Sequence, residues 1–246
     1  MRRLGPSALE NRAVRLWIVR LEASADNFAR SLSSLSPEEK GRAERFRFDR
    51  HRRAFVLGRA ALRALLGSYL GIANADVKFV YGRHGKPALA DPESPLRFNA
   101  SNSGNLAAYA FTYGCEIGVD LEQYRALSDI ENIARRFFSP EETAELLGAP
   151  ESERIVAFFN CWTRKEAYIK AMGGGLSIPL DSFRVALLPG VAPEMLSLEG
   201  SVDAARRWTL CDFTPAQDYA GAIAYAGQPR LVLSGETVSL DELFDI

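Results

Sequence analysis

The stretch Ile117-Gly118-Val119-Asp120-Leu121-Glu122 lies near the middle of a chain of 246 residues and predicts a β-strand. Successive side chains of a strand point to opposite faces, so the carboxylates of Asp120 and Glu122 share one face and Leu121 lies on the other. Two like charges this close repel each other unless a cation or water separates them. The stretch therefore predicts a strand with a candidate cation site, although two solvated acids at a strand end are the ordinary alternative.

The segments on both sides of this strand mix strands with helices. Before it, we predict a helix or helix pair from the cap at Ser36 to the stop at Gly71, and strands at residues 14–22, 77–81, 97–99 and 106–111. After it, we predict helices at 129–137, 140–147 and 151–172 and strands near 181–188, 207–213 and 219–226. This order predicts an α+β fold of two halves, residues 1–115 and 116–246.

Composition excludes several classes of protein. The net charge is −1, and three cysteines without a CxxC pair indicate free thiols in a reducing compartment. Only two histidines are present, which disfavours a histidine-rich zinc site. Residues 40–63 carry nine Lys or Arg against two acids, as expected for either a solvated helix face or an anion site. No run approaches the roughly 20 apolar residues of a membrane span, so we expect a cytoplasmic protein.

A second group of candidate residues lies in the predicted helix 151–172. Trp162, Glu166, Ile169 and Lys170 share one helix face at spacings of three and four. Glu166 could bind a metal or accept a proton, and Lys170 could hold a phosphate. A surface ion pair worth only about 0.3–0.5 kcal/mol is an equal alternative.

Two further motifs lack the features of well-known catalytic loops. Gly82-Arg83-His84-Gly85-Lys86-Pro87 is not a Walker A loop, because Pro87 follows the lysine and the glycines are too close together. Phe98-Asn99-Ala100-Ser101-Asn102-Ser103 has no GxSxG context, which disfavours a serine-hydrolase nucleophile. Each could instead donate hydrogen bonds to phosphate, or could be an ordinary turn.

In chain order, these motifs resemble those of the Sfp-type 4′-phosphopantetheinyl transferases. The resemblance runs from about Ser36 to Phe183. It rests on Gly85-Lys86-Pro87, Phe98-Asn99-x-Ser101-x-Ser103, Gly118-Val119-Asp120-Leu121-Glu122, Phe137-Phe138-Ser139, Trp162-x-x-Lys165-Glu166-Ala167 with Lys170, and Gly175-Leu176-x-Ile178-Pro179-Leu180. Each motif is weak alone, and their shared order and spacing carry the resemblance.

The resemblance implies two pseudo-symmetric α+β halves with the active site in the cleft between them. It implies an enzyme of the holo-[acyl-carrier-protein] synthase type, which moves 4′-phosphopantetheine from coenzyme A to a serine of an apo acyl or peptidyl carrier protein. The reaction would need Mg²⁺ and release 3′,5′-ADP. The protein would be a cytoplasmic monomer whose partners are the carrier protein and coenzyme A, with neither nucleic acid nor membrane.

The resemblance also assigns roles to residues. The metal would be bound by Asp120, Glu122 and Glu166, and catalysis would use Glu166, Lys170 and Asp120. Glu166 would act as the base, directly or through a magnesium-bound water. Coenzyme A would contact Arg45, Arg53, Arg59, Lys86, Ser101, Asn102, Lys165 and Lys170. Asn102 stands where the family commonly has histidine, and because an amide carries no charge we expect weaker or less pH-sensitive coenzyme A binding.

Three other functions fit parts of the sequence. A nucleic-acid-binding module could use the basic residues of 40–63 with the interleaved Phe46, Phe48 and Phe55. A metal-dependent phosphoester hydrolase could use Asp120 and Glu122 together with Glu166. A degenerate relative that binds coenzyme A without catalysis would be consistent with Asn102.

Overall fold

A computed structural model describes residues 13–127 and 129–244. Residues 13–115 contain five strands and three α-helices. They are β1 (Ala13–Arg20), α1 (Ala25–Ser34), α2 (Pro37–Glu44), α3 (Asp49–Leu70), β2 (Phe79–Tyr81), β3 (Pro87–Leu89), β4 (Leu96–Ser103) and β5 (Leu106–Tyr113).

The rest of the chain begins with the strand quoted above. Its elements are β6 (Ile117–Gln123), α4 (Ile130–Phe137), α5 (Pro140–Gly148), α6 (Glu151–Met172), β7 (Phe183–Val185), β8 (Met195–Leu198), α7 (Val202–Ala205), β9 (Trp208–Phe213), β10 (Tyr219–Ala226), β11 (Leu231–Ser234), β12 (Val238–Ser239) and α8 (Leu240–Phe244). The α+β class is confirmed. Within the described ranges, no helix combines the length and apolar character needed to cross a membrane.

Local capping signals explain where the helices begin and end. Ser36 and Ser139 each form a capping box, in which the serine hydroxyl accepts a hydrogen bond from the backbone N–H of the glutamate three residues on. The carboxylate of that glutamate accepts one from the serine backbone N–H. The two 22-residue helices, α3 and α6, both end at a glycine in the left-handed conformation, Gly71 and Gly173. Glycine adopts this conformation without the steric cost that other residues meet.

Each half packs one long helix against a sheet. In the first sheet the strand order is β11-β1-β5-β4, and β12 also pairs with β1. Leu57 and Leu65 of α3 are buried against Phe98 and Phe111 of this sheet. The second sheet has the order β6-β10-β9, and α6 packs on it.

The last strands return to the first half. Leu231–Ser234 and Val238–Ser239 pair in parallel with β1, and Leu240 of α8 is buried in the same core as α3. The sequence-based division placed all of 116–246 in the second half. These elements belong to the first half instead, because their short strands pair with the edge of β1 that β5 does not occupy.

Side chains, rather than a shared backbone ladder, join the two sheets. Asn99 Oδ1 on β4 accepts a hydrogen bond from the Val119 amide at 2.9 Å, and Ser103 Oγ accepts one from the Gln123 amide at 3.1 Å. β4 extends to Ser103, further than predicted, and therefore lies beside the whole of β6. Residues from both sides of this junction line a cleft, with Pro87 and Asn99 on one side and Glu166 and Lys170 on the other.

Gly118 allows α6 to lie directly on β6. A Cβ atom at this position would collide with the Ala167 carbonyl oxygen and the Ala171 amide nitrogen, both of which are helix backbone atoms that a side-chain rotation cannot move away. The close approach places the face of α6 that carries Glu166 and Lys170 beside β6.

We expect Gly118→Ala to lower the free energy of unfolding by about 1–3 kcal/mol, because an overpacked core must shift helix against strand. Gly41→Ala is the matched control, since a Cβ there meets no atom within 4 Å and alanine favours the helical backbone. Urea unfolding of both variants measures the difference. Equal stability of Gly118→Ala and the native chain would contradict the close approach.

Candidate active site

Asp120 lies on β6, where Ser101 of β4 and Lys170 of α6 both contact it. Its side chain is 5% exposed, and its Oδ1 accepts hydrogen bonds from Ser101 Oγ at 2.9 Å and Lys170 Nζ at 2.6 Å. Its Oδ2 is buried without a hydrogen-bond partner in the described part of the chain. A buried carboxylate oxygen without a partner costs free energy, and a bound cation would remove that cost.

Glu122 and Glu166 belong to the same electrostatic group. Burial raises the pKa of Glu122, and the charge of Asp120 raises it further, although Ser103 Oγ donates a 2.9 Å hydrogen bond to its carboxylate. Burial likewise raises the pKa of Glu166, with Asp120 adding to the increase and Lys170 opposing it. The charge of Asp120 thus acts on both glutamates, and the charge of Glu122 adds to the increase at Glu166.

The donor set fits a hard divalent cation. Nowhere in residues 13–127 and 129–244 do three acidic, His or Cys side chains form a ready-made metal cage. Magnesium does not require one, because it commonly binds one or two carboxylates and completes its octahedron with waters and substrate phosphates. The unpartnered Oδ2 of Asp120 and the neighbouring Glu122 and Glu166 supply oxygen ligands of this type.

Lys170 connects Asp120 to a cavity of about 300 Å³. Two of its three ammonium hydrogens are donated to Ser101 Oγ and Asp120 Oδ1, which leaves one for a ligand. Lys170 and Glu166 line this cavity together with Ile169, Asn99 and Pro87. A mostly apolar pocket with an acid and a cation on one wall suits a ligand that has both an apolar and an anionic part.

A second cavity of about 210 Å³ lies between α3 and β4 and contains one of the three predicted arginines. Arg59 lines it with Ser101 and Asn102, and Arg59 Nη1 is buried with no hydrogen-bond partner among the described residues. The Arg59 side chain is 10% exposed and lies 3.5 Å from the Glu39 carboxylate. A buried guanidinium with an unused N–H is suited to an anion.

The other two arginines are not part of the lining. Arg45 is exposed and donates to the Gly41 carbonyl, and Arg53 lies over the Phe28 ring. Arg42, which the sequence did not single out, lines the cavity instead, with its guanidinium over Phe55. Its only sequence signal was its place in the basic stretch.

Lys165 is not brought to the cleft, contrary to its predicted contact with coenzyme A. Its side chain is 0% exposed, and its ammonium forms an ion pair with Glu142 at 2.7 Å and donates to the carbonyls of Leu180 and Phe183. All three N–H groups are therefore used within the core. The next residue, Glu166, lines the larger cavity, so adjacent positions in sequence have different roles.

Lys86, which is predicted to contact the phosphates of coenzyme A, already has three acceptors within the chain. It lines the larger cavity, but its Nζ donates to Glu116 at 3.2 Å, to the Ile117 carbonyl at 3.4 Å and to the Ala171 carbonyl at 3.1 Å. Burial lowers its pKa, which Glu116 partly opposes.

Comparisons with known proteins cover both halves. The family model described as 4′-phosphopantetheinyl transferase superfamily matches residues 116–224, and the model for the N-terminal part of 4′-phosphopantetheinyl transferase matches residues 20–113. The 4′-phosphopantetheinyl transferase HetI of Nostoc is 40% identical over 222 residues, which are 88% of this chain and 90% of that protein. The 4′-phosphopantetheinyl transferase Sfp of Bacillus subtilis is 34% identical over 165 residues, 67% of this chain and 71% of Sfp.

Among solved structures, the holo-[acyl-carrier-protein] synthase of Thermotoga maritima matches with a TM-score of 0.36 and 18% identity, over 46% of this chain and 64% of that chain.

We expect Glu166→Gln to raise the free energy of unfolding near neutral pH when no divalent cation is present. Burial raises the pKa of Glu166 in the folded protein above the ordinary value of 4.5. The side chain therefore contributes its full stability only below pH 4.5, and this contribution is lost as the pH rises through the folded pKa. The gain from glutamine should therefore disappear as the pH falls toward 4.5. Urea unfolding across pH tests this, with the exposed Glu236→Gln as control; a gain that is independent of pH would contradict it.

We expect Lys165→Met to cost about 3–5 kcal/mol of stability, because it leaves the buried Glu142 carboxylate unpaired. Lys40→Met removes a lysine whose Nζ donates to an exposed backbone carbonyl and should change stability by less than about 0.5 kcal/mol. Urea unfolding at constant pH compares them. A stable Lys165→Met variant that binds coenzyme A weakly would restore the ligand role.

Proposed function

Because this chain belongs to the 4′-phosphopantetheinyl transferase superfamily, we propose that it transfers 4′-phosphopantetheine from coenzyme A to a serine of an apo acyl or peptidyl carrier protein. The reaction depends on Mg²⁺ and releases 3′,5′-ADP. The observation that carries this proposal is the buried Asp120 carboxylate, with one oxygen bonded to Lys170 and Ser101 and the other without a partner.

The two adjoining cavities support the choice of donor. Coenzyme A is a nucleotide with several phosphates joined to a long, uncharged arm that is apolar in part. Arg59, Asn102 and Ser101 would bind the phosphates from the smaller cavity, and Lys170 would bind the phosphate that is transferred. The apolar wall of the larger cavity, formed by Pro87 and Ile169, is compatible with the arm.

Asp120, Glu122 and Glu166 would hold Mg²⁺. When bound, the ion supplies positive charge that stabilises the diphosphate oxygens as the leaving group departs. Lys170 adds a positive charge that Asp120 already holds in place, so little reorganisation is needed during the reaction.

Glu166 is the residue best suited to accept the proton of the attacking serine. A serine hydroxyl is a weak nucleophile until a base within hydrogen-bond reach removes its proton. Glu166 lines the larger cavity together with Lys170, which places its carboxylate on the wall where the transferred phosphate would bind. The serine oxygen then bonds to the phosphorus, the bond from that phosphorus to 3′,5′-ADP breaks, and Glu166 takes the proton.

The test incubates an apo carrier protein with this protein, coenzyme A and Mg²⁺, and measures the intact mass of the carrier. We expect a gain of one phosphopantetheine group, which EDTA prevents and excess Mg²⁺ restores. Asp120→Asn should lower the rate by about 100-fold or more, since it removes charge from both the cation site and the Lys170 pair. Asp26→Asn, which removes an exposed acid on α1, should leave the rate unchanged.

Three outcomes would contradict the proposal. Coenzyme A binding without transfer to any of several carriers would indicate a binding protein. Release of product in the absence of a carrier would indicate a phosphoester hydrolase. Full activity of Asp120→Asn at saturating Mg²⁺ would remove Asp120 from the site.

A further inference from the structure

The Lys86 ammonium joins parts of the chain that belong to both halves. Lys86 lies on the turn between β2 and β3, and its three acceptors are the Glu116 carboxylate and the carbonyls of Ile117 and Ala171. A lysine ammonium has three N–H groups and no acceptor, so these three partners occupy all of its donors. A phosphate could be bound only if one of these hydrogen bonds were broken.

The two carbonyls mark the ends of the elements that form the catalytic ion pair. Ala171 lies in the last turn of α6, where carbonyls have no partner within the helix, and it directly follows Lys170. Ile117 is the first residue of β6, three positions before Asp120. A cation at a helix C-terminus is also favoured by the helix dipole. Lys86 therefore links the backbone beside Lys170 to the strand that carries Asp120.

Neighbouring contacts fix the Lys86 ammonium in this position. Glu116 Oε2 accepts from Lys86, while its Oε1 accepts from Arg97 Nε at 3.2 Å, which ties the pair to β4. The Lys86 side chain is 19% exposed, and the Gly173 position lies against its stem. The turn that carries Lys86 also contacts the loop after α6, since His84 Nε2 lies 3.2 Å from Ser177 Oγ.

We propose that Lys86 is a positioning residue, which fixes the last turn of α6 against β6 and so holds Lys170 and Asp120 at hydrogen-bond distance. It is not a ligand of the coenzyme A phosphates. The catalytic consequence rests on the proposed function. A shift of about 1 Å in a phosphate-binding group is enough to slow a reaction about 100-fold, even when substrate still binds.

The first test replaces Lys86 by methionine, which keeps an unbranched apolar side chain and removes the ammonium. We expect kcat to fall about 10- to 100-fold, with the affinities for coenzyme A and 3′,5′-ADP, measured by calorimetry, within about twofold of the native values. Lys78→Met, an exposed lysine just before β2, should leave both quantities unchanged. Lys86→Arg, which retains charge and several donors, should recover part of kcat.

Glu116→Gln separates the two roles of Lys86 because they predict opposite results. A positioning lysine that loses its carboxylate partner should give a lower kcat, unchanged coenzyme A affinity and an effect that is not additive with Lys86→Met. A phosphate ligand released from that carboxylate should bind coenzyme A more tightly, and Lys86→Met should weaken binding about tenfold or more. Tighter binding by Glu116→Gln together with weaker binding by Lys86→Met would overturn the inference.

Hydrogen exchange of the ligand-free protein tests the same contact without any reaction. Lys86→Met should speed exchange of the amides in the last turn of α6, residues 169–173, while exchange in α3 stays as in the native chain. Unchanged exchange in that turn would overturn the positioning role. Failure of the native chain to modify any carrier, combined with faster exchange in the variant, would overturn the proposed function and leave the contact established.

Discussion

The close approach of α6 to β6 is the constraint on which the site depends. Gly118 leaves room for the backbone at Ala167 and Ala171. The small side chains of Ala222 and Ala224 on β10 pack in the same core as α6 and take up little space between the helix and the sheet. Because helix and strand backbones nearly touch, a lysine and a glutamate on the helix can reach an aspartate on the strand. A larger residue at 118 would move the whole face of α6, since packed interiors transmit a local change in volume to their neighbours.

The three lysines discussed above differ in role because their surroundings use different numbers of their N–H groups. Lys165 is enclosed in the core of the second half, where Glu142 and two carbonyls satisfy it completely. Lys86 is satisfied by groups at the junction of the two halves. Lys170 donates to Asp120 and Ser101 and has one N–H left at the cavity. Lys165 and Lys86 therefore have no N–H left for a ligand, and they stabilise the core and link elements. Lys170 keeps one N–H and is able to bind substrate.

The same physical distinction explains which sequence-based predictions succeeded. The helix boundaries at Ser36, Gly71 and Ser139 followed from capping chemistry that acts within a few residues, and the structure confirms them. Strand alternation placed Asp120 and Glu122 on one face, and helical spacing placed Glu166 near Lys170. The predicted ligand role of Lys165 is not supported, because its ammonium is enclosed in the core, and motif position does not report burial or the number of backbone carbonyls within reach. The ligand role of Lys86 stays a prediction, against which its three acceptors within the chain argue. The return of the C-terminal strands to β1 also had no signal, since short strands with little alternation resemble loops in sequence.

The sequence by itself determined the α+β class, the order of most helices and strands, and the family whose motifs the chain carries. The class and the element order depend on periodicity and caps that neighbouring residues express directly, whereas the family rests on the resemblance of the ordered motifs. Only the tertiary structure decided that Arg59 rather than Arg45 or Arg53 lines the smaller cavity, that Asp120 retains an oxygen without a partner, and that Lys86 joins the two halves. The reason is that hydrogen-bond satisfaction and burial depend on groups distant in sequence, which come together only when the two sheets and their helices are packed.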